Sequence, residues 1–183
     1  HLMLANDLAP VFPTLAHHYA RAASAQTAVH AVHHAVRAAE RAERGHAHDS
    51  AVALLRQAVE CHETAGAGPA SEDNAGGTSR DRDADRVALL GRLLRAQVRA
   101  GAVADARATR ERAVEIAERA GGEDLLVAAF ASWTEPTPWI ARPYGVVDRH
   151  AVDSLARLLR RPGLDPATRC RLLAAFVTEV AGV

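Results

Sequence analysis

Five of the chain's ten histidines fall between positions 30 and 48. His30 and His34 are four apart, so on a helix both rings lie on one side, which is the spacing two ligands of a zinc ion need. His33 is adjacent, and His46 and His48 follow just beyond Gly45. The residues between His30 and His34 are Ala31, Val32 and His33, so no carboxylate completes an H-E-x-x-H pattern. These histidines are therefore read as packing and surface residues, with no metal and no cofactor assigned. His17 and His18 beside Tyr19 raise acid–base chemistry, but no nucleophile or paired carboxylate stands at a matching spacing. No catalytic residue is assigned, and the chain is read as a non-enzyme. A metal-dependent enzyme built on the His-rich helix is the alternative from another class.

Binding chemistry has better candidates. Trp133, Trp139 and Tyr144 place three of the seven aromatic residues within twelve positions. Arg142 lies among them and could stack on a ring or pair with an anion. Such side chains either cap a core between helix pairs or form a pocket wall. Arg56, Glu60, Arg107, Arg110 and Glu111 fall on the inner faces of second helices, where a groove would lie. Of these, Arg107 and Arg110 join Trp133, Trp139, Arg142 and Tyr144 as candidate ligand- or partner-binding residues.

The elements that must position these residues are helices. The chain has 183 residues, long enough for a sizeable core, and 42 of them are alanine, the best helix former. All 22 basic residues are arginine and are matched by 22 acidic ones, so no global field recruits nucleic acid. No apolar run is long enough to span a membrane, and no signal peptide is recognisable. Cys61 and Cys170 lie far apart in helical, mostly apolar runs, and are expected to be free core thiols in a reducing cytoplasm. The chain opens without an initiator Met and is read as one helical-repeat domain, 1–183, from a larger protein.

Two stretches repeat each other, AVRAAERAERGHAHDSAVALLRQAVE and LLRAQVRAGAVADARATRERAVEIAERAG. Each reads as a helix, a break at glycine (Gly45, Gly101) and a second helix. A first segment looks helical from about Pro13. The pairs are expected at about 27–44 with 48–64, then 84–100 with 103–120. Inner faces are Ala28, Val32, Ala35, Ala39 and Ala42; Ala51, Leu54, Leu55, Ala58 and Val59; Val87, Leu90, Leu94 and Val98; and Ala106, Ala113, Ile116, Ala117 and Ala120. Ala51 and Ala106 are equivalent, 55 positions apart. A tetratricopeptide repeat is about 34 residues long, and an inserted, solvated loop at 66–83 accounts for most of the excess. Further helices are expected from Glu123, after the cap Asp148 with Val152, Leu155, Ala156 and Leu159 inward, and from Asp165-Pro166 with Leu172, Leu173, Phe176, Val177 and Val180 inward. The expected fold is all-α, a tetratricopeptide-like right-handed superhelix of antiparallel helix pairs.

The runs LAHHYARAA and AVHHAVRAAERAERGHAHDSAVALLRQAVE, and later RAGAVADARATRERAVEIAERAG with WTEPTPWIARPYGVVD, resemble the helical arm of large bacterial signal-transducing NTPase regulators. These include the antibiotic regulatory proteins of actinomycetes and the large LuxR-type activators. The resemblance implies a cytoplasmic, non-catalytic arm. It would relay binding of an inducer or a protein, either its own NTPase core or another subunit, to nucleotide- and DNA-binding parts. Neither a GxxxxGK[ST] loop nor a helix with a basic face for the major groove occurs in this sequence, so neither activity is carried over. No direct nucleic-acid contact and no membrane contact are implied, and a homo-oligomer is possible. A dedicated small-molecule pocket near Trp139 and Tyr144 is the alternative within binding proteins.

Overall fold

A computed structural model describes residues 11–14, 16, 25–67, 78–134 and 147–180. The described residues are helical or connecting, with no strand among them. Residues 12–14 and 16 are helical, and among the described residues the helices with full bounds are α1 (Ala25–Arg44), α2 (His48–Ala67), α3 (Ser79–Arg99), α4 (Val103–Ala120), α5 (Glu123–Phe130), α6 (Arg149–Leu159) and α7 (Pro166–Val180). The chain divides into two compact units, His1–Leu89 and Leu90–Val183, and the division falls inside α3.

In the first unit, α1 packs along α2 through small side chains. Ala31, Ala35, Ala38 and Ala39 of α1 are buried, as are Ala51, Leu55, Ala58 and Val59 of α2. Alanine on both sides lets two backbones approach closely at little entropic cost. The turn between them is a Schellman closure. The Ala47 amide donates to the Ala42 carbonyl at 2.8 Å and the His46 amide to that of Glu43 at 3.0 Å. The left-handed residue is His46, with φ 58°, and not Gly45, which precedes it by one position. Sequence inspection places the break at the glycine because glycine is the usual left-handed residue.

In the second unit the same closure ends α3. The Ala102 amide donates to the Gln97 carbonyl at 2.8 Å and the Gly101 amide to that of Val98 at 3.0 Å, with Gly101 at φ 78°. These atoms lie 55 positions after those of the first turn, the same offset that relates Ala51 to Ala106. Both of those alanines are fully buried. The two pairs therefore share turn chemistry and register.

α3 begins at Ser79, inside the stretch expected as loop, and α2 continues to Ala67. The start of α3 is a capping box. The Thr78 hydroxyl and amide each donate to the Asp81 carboxylate at 2.8 Å, and the Asp81 amide donates back to the Thr78 hydroxyl at 3.1 Å. These bonds hold the Asp81 carboxyl below the usual carboxylate range. Asp148 caps α6 by accepting from the Ala151 amide, and Asp165 accepts from the Ala167 and Thr168 amides at the head of α7.

Two buried faces differ from the expected ones. On α7 the buried residues are Leu172, Ala175 and Glu179, while Leu173 and Val177 are 47% and 58% exposed. Cys170 is likewise exposed, not a core thiol, whereas Cys61 is buried. Burial, and then the neighbouring Glu60, push the Cys61 thiol up from its ordinary value. On α6 the buried set is Ala151, Ser154, Leu155 and Leu158, with Val152, Ala156 and Leu159 only half-buried. In α7 the rotation has an identifiable cause, since Glu179 turns inward to meet a buried arginine.

Candidate binding cleft

That arginine is Arg110. It lies 55 positions after Leu55, so it occupies in the second pair the place that an apolar core residue holds in the first. A charge there is tolerable only with a partner. The Arg110 guanidinium donates through Nη2 to Oε1 of Glu179, and both side chains are at most 5% exposed. Its cationic carbon also lies 5.4 Å from the centre of the Trp133 ring. Trp133 in turn packs with Leu94 and Ala106, against Val98 and Val103. Arg110 and Trp133 thus meet, but in the interior. Beside them the Thr109 hydroxyl donates to Oε1 of Gln97 at 2.8 Å, satisfying a second buried polar pair.

Trp133 can reach this place because the chain after α5 closes tightly on α3. A Cβ added to Gly91 would lie 2.5 Å from the Ser132 Oγ, which itself donates to the Ala128 carbonyl at 2.7 Å. A side chain at position 91 would force Ser132 to shift.

Arg107 is half-buried on α4. Arg56, Glu60 and Glu111 are exposed. Trp139, Arg142 and Tyr144 lie outside the described residues, as do His17, His18 and Tyr19. Among the histidines, His30 and His33 are exposed, and His34 is half-buried with its ring 5.8 Å from that of Phe12 and 5.5 Å from that of His33. Burial first, then the His33 and His30 charges, lower the His34 pKa below its ordinary value. Among the described residues no group of three or more His, Cys, Asp or Glu is placed to hold a metal.

A surface that sequence reasoning did not single out lies elsewhere in the second unit. The C-terminal end of α4, the turn at Gly121 and Gly122, the start of α5 and one face of α6 enclose an open cleft of about 810 Å³. Gly121 ends α4 in the left-handed conformation at φ 71°, and a Cβ there would meet nothing within 4 Å. His150, Asp153 and Arg157 line the cleft from α6 and Arg160 from its C-cap, at the spacings of one helical face. Glu118 and Glu123 line it from α4 and α5, and Ala117, Leu126 and Ala156 supply apolar surface. His150 Nε2 lies 2.7 Å from Glu118 Oε1. A smaller cavity of about 230 Å³ adjoins the same pair and includes Arg110, Phe130 and Asp148 in its wall. The missed signal was the i, i+3, i+7, i+10 polar stripe of α6, which reads equally well as an ordinary solvated face. Only the turn at Gly121 and Gly122 converts it into one wall of a cleft.

Comparison with protein-family models, with curated proteins and with solved structures returned no match.

Proposed function

We propose that the chain is a non-catalytic binding arm of a bacterial transcription regulator, built from tetratricopeptide-like helix pairs that stack as a right-handed superhelix. One observation supports this reading above the others. Two helix pairs carry the same Schellman closure and a fully buried alanine at the same register, 55 positions apart. A duplicated helix pair is the unit from which interaction scaffolds are assembled. The resemblance of the LAHHYARAA and WTEPTPWIARPYGVVD runs to the arms of signal-transducing NTPase regulators supplies the regulatory setting. In that setting the arm takes a protein segment or an inducer. Differential affinity for two forms of the whole protein then shifts the balance between them.

The test is to read the coding sequence on either side of this chain and express the intact product. A phosphate loop and a DNA-binding domain in the same reading frame are expected. Their absence from the frame would overturn the regulator assignment. A second reading, a dedicated small-molecule sensor, is favoured by the cleft itself, whose volume of about 810 Å³ is in the range of metabolite sites.

A further inference from the structure

We infer that the cleft of the second unit binds a small organic anion, with Arg157 and Arg160 as the residues that hold its carboxylate or phosphate. This rests on the reading of the chain as a binding arm and names the class of ligand it takes.

Several arginines of the second unit are held in structural contacts. Arg110 is consumed by Glu179 in the interior. Arg161, at the end of α6, is drawn to Asp124 on α5 at 2.6 Å. Arg169 donates to the Leu159 carbonyl at 3.1 Å. Each of these has a structural contact that fixes where its charge sits. Arg157 and Arg160 line the cleft instead. Among the described residues neither guanidinium has an ion-pair or hydrogen-bond partner. Arg157 is in the last turn of α6 and Arg160 is its C-cap residue three positions on, so the two share one side of the helix end, a spacing at which two guanidinium forks can serve one oxyanion.

A helix C-terminus favours basic residues in any case. That effect acts equally on Arg161, yet Arg161 is paired with α5 while the other two face an open volume.

The acidic residues of the cleft are disposed differently. Glu118 faces His150 at 2.7 Å, and Glu123 lies 3.9 Å from Arg161. These two carboxylates have a basic neighbour of their own; Asp153, the third carboxylate of the lining, stands one helical turn before Arg157, and Arg157 and Arg160 are, among the described residues, the unpartnered cations of the cleft. The apolar surface of Ala117, Leu126 and Ala156 adjoins it. The complementary molecule has an anionic head and a compact apolar body.

The experiment is a two-dimensional amide NMR titration of the full 183-residue chain with four probes: inorganic phosphate, phenyl phosphate, benzoate and benzylamine. Expected are saturable shifts at Gly121, Gly122 and Ala156 with the two aromatic anions, weaker ones with inorganic phosphate, and none with benzylamine. Phenyl phosphate against benzoate tells which oxyanion is preferred. In the Arg157→Gln/Arg160→Gln variant the dissociation constant for the preferred anion should rise at least tenfold. In Arg171→Gln, on the exposed surface of α7, it should be unchanged. A melting temperature like that of the unaltered chain would show that the double variant folds. Anion shifts absent at millimolar concentration, or the same in the double variant, would overturn the proposal. So would binding of benzylamine in place of the anions. None of these outcomes alters the reading frame that tests the regulator assignment, so the two readings fail separately.

Discussion

Arg110 stands in register with Leu55, and the pairing it requires determines how the last helix lies. A buried ion pair contributes little net stability, but breaking one side of it leaves an uncompensated charge in the interior. Arg110→Met alone should lower the unfolding free energy by about 3–5 kcal/mol. Adding Glu179→Met should restore it to within about 1 kcal/mol of the starting value or better. Urea denaturation of the three proteins measures both. His34 supplies a pH dependence. Burial favours its neutral ring, so its folded pKa lies below the unfolded value of 6.5. Its contribution is then complete above that value and is lost as pH falls through the lowered folded pKa. His34→Leu should flatten the loss of melting temperature below pH 6.5, while His30→Leu, which removes only the smallest of the three causes, should flatten it less.

At the scale of the element, the two helix-pair turns use the same hydrogen bonds but different residues at the left-handed position, His46 in one and Gly101 in the other. A side chain at positive φ costs roughly 1 kcal/mol. His46→Gly should therefore stabilise the first unit by about that amount, and Gly101→Ala should destabilise the second by a similar one. Thermal melts followed by circular dichroism would show the two shifts in opposite directions. The contact between α3 and Ser132 yields a different kind of prediction. Gly91→Ala places a methyl 2.5 Å from the Ser132 Oγ, and overpacking of this kind costs about 1–3 kcal/mol. Ser132→Gly in the same chain should recover most of the loss. Alanine is the better helix former, so the helix backbone adds no cost of its own, and a loss that persisted with Ser132→Gly would overturn the steric account.

For the molecule as a whole, 22 arginines are balanced by 22 acidic residues. Local charge, not a global field, therefore governs what approaches it. The chain should not be retained on duplex DNA at physiological salt. Retention that weakened steeply with added salt would contradict the assignment of no direct nucleic-acid contact. No helix among the described residues is long and apolar enough to cross a membrane.

Helix content and the paired repeat were legible from the residues alone. Alanine periodicity and turn chemistry are local properties, and the closing turns use hydrogen bonds between residues a few positions apart. The starts at His48, Val103, Glu123 and Pro166 fall where the sequence places them. The Thr78–Asp81 box was equally local, yet lay hidden in a stretch whose Gly, Ser and charged residues read as loop. The inward turn of Glu179 and the exposure of Leu173 and Val177 could not be read from α7 by itself. They follow from Arg110, 69 positions away along the chain, and a buried charge selects its partner through space. The cleft, too, belongs to tertiary structure. α6 carries its polar stripe in sequence, but only packing brings that stripe opposite the glycine turn after α4 and leaves Arg157 and Arg160 facing open volume.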